Sequence, residues 1–302
     1  MPDRVTRLFT NAGATVQLCV APAVGAGEIA IAADSRVVAA SVIKVLVVLE
    51  AERQFAAGQL DPHQRVNLDA AQRTPGAVGF SLYRDDVQTS LGDLGVAALT
   101  ISDNVASDVL LSHVGIDACN ATARSLGLAD TVIVSGMGKM IDEIVTAAGF
   151  EDWPKFGAWL SQATREEQAV VQAQVRACAA FDPDLATRTT PRDMCRLLLA
   201  IWSDQAGPPA ACQRLRELMG QQLTRHRLAA GFAPPIRVSA KSGSLIGTIR
   251  NEIGVIRYPD GHCYAAAVFT RAGTSSRGAA AIDAAIGQSA AVAIGLLRGL
   301  PT

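Results

Sequence analysis

Ser41-Val42-Ile43-Lys44-Val45-Leu46-Val47-Val48-Leu49-Glu50 is the stretch from which the rest of the chain is best read. Over residues 41–55 the only charges are Lys44, Glu50, Glu52 and Arg53, so a largely buried helix is predicted there. Positions i and i+3 share a helical face, which sets Lys44 one turn beyond the Ser41 hydroxyl. A buried lysine near a second cation loses proton affinity, and its neutral amine can accept a serine proton. With 17 serines and four lysines in 302 residues, a lone Ser-x-x-Lys is a common accident. The weight therefore falls on what accompanies it.

Working outward, residues 16–20 and 28–32 are short apolar runs separated by Pro22, Gly25 and Gly27, a hairpin pattern. Residues 87–151 alternate helical patterns with breaks at Ser102-Asp103-Asn104 and near Gly127. Thr190 caps a further helix, with Pro191 at its first position and Asp193 placed to close a capping box. Strand signals return at 236–240, 253–258 and 264–270, followed by an apolar terminal helix. Strands at both ends with helices between them predict an α+β fold. In it a largely antiparallel sheet is built from both termini, and the middle of the chain forms a helical subdomain.

Composition narrows the function classes. Apolar residues make up 49% of the chain, charged residues 18%, and the net charge is −1, which argues against a nucleic-acid or membrane-surface footprint. Six scattered cysteines without CxxC spacing read as reduced, mostly buried thiols. His63, His113, His226 and His262 lack ligand spacing, so neither metal nor other cofactor is expected. Residues 1–8 lack the apolar core of a secretory signal, giving a cytoplasmic expectation. Residues 279–297 approach the length of a bilayer span, but Asp283 and Gln288 interrupt them, and a buried helix on a sheet is the reading. A monomer is expected, with a dimer left open.

Three motifs occur in order: Ser41-Val42-Ile43-Lys44, Ser102-Asp103-Asn104 and Lys241-Ser242-Gly243. Lys241 would be the second cation beside Lys44 and also suits a substrate carboxylate. Ser102 can relay a proton to the leaving group. Asn104 can hold a substrate amide while touching Lys44. Backbone N–H groups of Ser41 and Ser244 can form an oxyanion hole. All three together are far rarer by chance than any one.

With these motifs the chain resembles the class A β-lactamase family within the penicillin-recognising serine hydrolases. The likeness spans roughly residues 14–298. It includes Ala39-Ala40 before the serine, Ser102-Asp103-Asn104-Val105-Ala106-Ser107, the Gly127-Leu128 turn and Thr189-Thr190-Pro191-Arg192-Asp193-Met194. The resemblance implies a mixed α/β sandwich beside an all-helical subdomain, with the site between them. One domain over 1–302 is expected, its α/β part at about 1–55 and 230–302 and its helical part at about 56–229. The resemblance also implies that Ser41, Lys44, Ser102 and Lys241 are catalytic, and that Asn104, Ser242, Gly243, Ser244 and Arg250 bind substrate, Arg250 through its carboxylate.

The pattern breaks at deacylation, for which the family uses a glutamate and an asparagine four residues later. No asparagine stands between Asn120 and Asn251, so that pair is absent. Glu166 and Glu167 belong to a predicted capping box with Thr164. Asp182 and Asp184 read as a turn, and Lys44 is left as a candidate deacylating base. An atypical helical insertion or lid is predicted at about 133–187.

The expected function is a serine hydrolase that acts on a β-lactam or related amide or ester, with slow deacylation. Its partner would be a small carboxylate-bearing acyl compound. The alternatives are an esterase or peptidase of the same fold acting on another substrate, and a non-turnover acyl-binding sensor. A cell-wall D,D-peptidase is disfavoured by the lack of an export signal.

Overall fold

The computed structural model describes residues 2–246, 248–273 and 278–300. Helix α1 (Pro2–Ala12) runs into β1 (Ala14–Pro22), which turns back as β2 (Ile29–Ile31). After β3 (Val37–Val38) and a 3₁₀ turn at Ala40–Ile43, α2 (Lys44–Ala56) begins. Strands β4 (Arg65–Leu68) and β5 (Val87–Ser90) form a separate ladder, followed by α3 (Leu91–Thr100), α4 (Asn104–Val114) and α5 (Ile116–Ser125). Then come α6 (Met137–Ala147), α7 (Trp153–Gln162) and α8 (Arg165–Val175). Strand β6 (Arg188–Thr189) pairs with β3 and leads to α9 (Pro191–Trp202) and α10 (Pro209–Gly220). Strands β7 (Arg237–Leu245), β8 (Ile249–Arg257) and β9 (Cys263–Ala272) precede α11 (Ala279–Leu297).

The main sheet is antiparallel in the order β2-β1-β9-β8-β7. Its centre joins the two ends of the chain, with Val16 opposite Thr270 and Leu18 opposite Val268. This is the α+β architecture read from the sequence. Period-two alternation sends Leu18, Val20, Val268 and Ile256 to one face, where they pack on Val5, Phe9, Ile286 and Ile294. Cys19, Ala267, Phe269 and Val255 face the other way, against α9, α10 and α2. Because helices cover both faces, β9 is apolar on both, and Tyr264-Ala265-Ala266-Ala267-Val268-Phe269 is buried throughout.

Helix α2 is the hub of the second layer and touches α3, α4, α5 and α10. Residues 44–51 are all buried, which is why no polar face interrupts them. Helix α11 is long and apolar enough to cross a membrane by length and composition, but it packs on α1 and the sheet. Its Asp283 is held by Arg227 and Arg250. All six cysteines are free thiols, four of them buried.

Residues 137–181 are mostly helical and pack on Val38, Ala40, Leu245 and Ile249 as a third apolar cluster. Thr164 and Glu167 form the predicted capping box. Two local expectations need correction. The helix expected from Ser41 begins as a 3₁₀ turn and becomes α-helical only at Lys44. Asp193 does not close a capping box: Thr190 caps its N–H, but its carboxylate turns to Asp130 N and Thr131 Oγ1.

Candidate active site

Ser41 lies in the Ala40–Ile43 turn at the mouth of α2. The preceding residue, Ala40, has φ +49°, a conformation that costs a non-glycine residue about 1 kcal/mol or more and marks an over-determined turn. The constraint comes from β7 behind it. A Cβ on Gly243 would stand 3.1 Å from Val42 N, 3.2 Å from Ala39 O and 3.2 Å from Ser41 N. Only a glycine lets the strand lie this close to the nucleophile turn. Asn251 Nδ2 ties the same segment by donating to Val38 O at 3.1 Å.

The second motif sits where α3 gives way to α4. Ser102 is left-handed at φ +64°, and that reversal lets Asp103 cap α4. Asp103 Oδ1 accepts from Ala106 N at 2.9 Å and Oδ2 from Phe80 N at 2.6 Å. Asn104 is the first residue of α4, and its Nδ2 donates to Pro75 O at 2.9 Å. Asp103 is thus a positioning residue that holds Ser102 and Asn104 toward Lys44.

Lys44 and Lys241 converge on this motif, and both are fully buried. Lys44 Nζ donates to Ser102 O at 2.7 Å, Asn104 Oδ1 at 2.8 Å and Asp103 O at 3.2 Å, with Ser102 Oγ at 3.5 Å. Lys241 Nζ donates to Ser102 Oγ at 2.9 Å and Ser242 O at 2.7 Å. Burial pushes Lys44 down to about 7, against the opposing pull of Asp108 and Asp103. Burial and then the Lys44 charge push Lys241 well below the ordinary lysine range, with Glu252 opposing. The three acceptors around Lys44 suit an ammonium, whereas a neutral amine needs only two of them and frees its lone pair. Among the described residues Ser41 Oγ makes no hydrogen bond. Catalytic hydrogen bonds are commonly looser in unliganded enzymes.

Lys241 reaches the cleft only through Ser102. The cation that touches the far rim is Arg227, whose Nη2 donates to Ser244 Oγ at 2.6 Å. Arg227 Nη1 donates to Gly243 O at 3.0 Å and Asn251 O at 2.7 Å, and Nε to Asp283 Oδ1 at 2.8 Å. Arg250 stands opposite Ser244 in the ladder but is forked onto Asp283. Ser242 is buried, and its N–H donates to Gln222 Oε1. Arg227 was not singled out from the sequence. It stands in Thr224-Arg225-His226-Arg227, with no spacing to set it apart from its neighbours.

Ser41, Asn104 and Ser244 open onto one cavity of about 410 Å³. Helices α6, α7 and α8 build its opposite wall from side chains such as Ile141, Ile144, Trp153 and Phe156. Among the described residues no aspartate or glutamate lines it. Glu167 is engaged in its capping box. Asp182 Oδ1 accepts from Asp184 N, and Asp184 pairs with Arg36, so these two form a turn. No group of three or more His, Cys, Asp or Glu among the described residues is arranged to hold a metal ion.

The chain is 29% identical over 256 residues to the beta-lactamase regulatory protein BlaB of Streptomyces cacaoi, covering 80% of each. Its fold is similar to that of a beta-lactamase from Sphaerobacter thermophilus, with a TM-score of 0.77, 24% identity and coverage of 99% and 98% of the two chains. PBP-A is similar at a TM-score of 0.75 and 19% identity, with coverage of 99% and 96%. The beta-lactamase enzyme family model matches residues 2–294, and the chain belongs to that family.

Proposed function

We propose that this protein is acylated on Ser41 by a β-lactam or a related amide or ester and releases the acyl group slowly. The observation that carries this reading is an asymmetry. Two buried lysines meet at Ser102 on one side of Ser41, and the facing wall supplies no carboxylate among the described residues. In the first step Ser41 Oγ bonds to the carbonyl carbon as its proton passes to neutral Lys44. The N–H groups of Ser41 and Ser244 receive the developing oxyanion. The carbon–nitrogen or carbon–oxygen bond then breaks. Ser102, held by Lys241, hands its proton to the leaving atom and regains one from the Lys44 ammonium 3.5 Å away, which leaves Lys44 neutral again. Water must later attack the ester on Ser41, and Lys44, three residues on from it, would serve as the base. A substrate carboxylate would be received at Ser244, whose hydroxyl Arg227 Nη2 contacts, while Arg250 gives both Nε and Nη2 to Asp283.

A second reading is favoured by the same missing carboxylate and by the relative named a regulatory protein: a sensor whose acylated form persists. A solved mutant of the similar PBP-A is an acyl-enzyme complex with penicillin G. Incubation with penicillin G, followed by intact-mass spectrometry, tests acylation and separates the two readings. A stoichiometric adduct that decays over minutes supports the hydrolase, and one that persists for hours supports the sensor. No adduct with penicillin G, together with rapid turnover of a p-nitrophenyl ester, would identify an esterase with another substrate.

Acylation should depend on pH through Lys44. Its neutral form is the base, so the rate constant should rise with pH through about 7. Below roughly pH 6 it should fall about tenfold per unit, and above roughly pH 8 it should level off. A profile flat from pH 5 to 9 in stopped-flow acylation would exclude Lys44 as the base.

Lys241→Ala should slow acylation by about 10- to 100-fold, the usual worth of a hydrogen bond to a charged group. The sequence reading expects acidic substrates to suffer most. With Lys241 buried and separated from the cleft by Ser102, comparable losses on a penicillin and a neutral ester are the expected result. A loss confined to the penicillin would restore Lys241 as a direct carboxylate anchor.

A further inference from the structure

The geometry points to the substrate class: an acyl donor that carries a medium-sized, uncharged, apolar side group on its acyl side, seated against the wall of α6, α7 and α8, while a leaving part that stays tethered lies outside that wall. This rests on the proposal that Ser41 is acylated and asks what the acyl group must be. The cavity's polar side chains, Ser41, Asn104 and Ser244, gather at the reacting end, with Gln172 on α8. Met140, Ile141, Ile144, Trp153, Phe156 and Leu160 make up much of the rest.

This wall is built rather than incidental. Ile144 and Phe156 are each 1% exposed. Trp153 meets Phe156 edge-on at 5.8 Å between centroids, and Trp159 stacks on the far ring at 5.9 Å. Rings locked to one another do not collapse into the space they line, so the cavity is pre-formed, as small-molecule sites usually are. At about 30 Å³ per water-sized unit, the 410 Å³ available holds on the order of a dozen non-hydrogen atoms. A short acyl group such as acetyl would leave most of the space unfilled. A charged acyl group would lose its hydration beside α6–α8, among which Gln172 is the polar lining residue. An octanoyl-sized chain or an arylalkyl group satisfies both volume and polarity. Its ester bond then lies at Ser41, and any carboxylate of the donor lies on the Ser244 side.

The test is the burst of p-nitrophenolate from p-nitrophenyl acetate, butyrate, hexanoate and octanoate, each below its micellar concentration. The acylation rate constant over dissociation constant should rise about fourfold per added methylene as each is buried, up to the octanoate. Leu160→Glu, at the half-exposed edge of the wall, should lower the octanoate-to-acetate ratio at least tenfold. Met140→Glu, on a different helix, should do the same and keeps the test open if the first variant fails to fold. Bursts of equal rate across the series, or a ratio unchanged in both folded variants, overturn this inference alone. No burst with any ester, and no adduct with penicillin G, removes the acylation reading and this inference with it.

Discussion

Ser41→Ala is expected to abolish the covalent adduct with penicillin G and to lower turnover of any ester by about 10⁴-fold or more, as for other serine nucleophiles. The expectation rests on what the cleft contains besides Ser41. Ser102 Oγ is the other hydroxyl near the lysines, but it is held at 2.9 Å by Lys241 Nζ. It stands on a left-handed residue at φ +64°, so it is placed to transfer protons. The Ser41 side chain makes no hydrogen bond among the described residues, so its truncation should change stability by less than about 0.5 kcal/mol. Intact mass after penicillin treatment and a thermal melt together decide the matter. An adduct on folded Ser41→Ala, mapped by peptide to Ser102 or elsewhere, would overturn the assignment.

Gly243→Ala should produce the next largest loss, through the backbone rather than through any functional group. The added methyl meets Val42 N at 3.1 Å and both Ala39 O and Ser41 N at 3.2 Å. These are main-chain atoms at the start of α2 and cannot rotate away as a side chain would. Either β7 moves outward or the nucleophile turn moves inward, by a few tenths of an ångström. Both shifts change the spacing between Ser41 N–H and Ser244 N–H, the two donors proposed to receive the oxyanion. Misplacing one such donor costs about 10²- to 10³-fold in rate, and overpacking at a tight contact costs about 1–3 kcal/mol of stability. Second-order acylation by penicillin G should therefore fall at least 100-fold while far-ultraviolet circular dichroism stays native. Wild-type acylation by a folded Gly243→Ala would show that the close approach of β7 is not needed for the chemistry.

Much of the architecture was legible because it is periodic or local. The strand signals at 236–240, 253–258 and 264–270 fall on β7, β8 and β9, with the ends displaced by a few residues. Thr164 and Glu167 announced a helix start that the structure reproduces atom for atom. Asp193 shows the limit of such local rules. Its carboxylate had two partners available, a helix terminus and the buried hydroxyl of Thr131, and it took the second. The close approach of the Ser41 turn to β7 was equally hidden, since Gly243 lies about 200 residues away in the chain.

The sequence by itself singled out the candidate reacting set. Ser41 and Lys44 are joined by helical spacing, Ser102 and Asn104 by one helix start, and Lys241 and Ser244 by one strand. Chemistry of that kind is carried by residues within one or two turns of each other, and short motifs record it. Only the tertiary structure decided which cation reaches Ser244, with Arg227 at 2.6 Å and Arg250 drawn off to Asp283. It alone decided that α6 and α7 face the cavity with apolar side chains, joined by Gln172 of α8, and that among the described residues no carboxylate lines it. The physical reason is that amphipathic periodicity tells which side of a helix is apolar, but not whether that side closes a core or lines a cleft. That depends on how segments a hundred residues apart pack against one another.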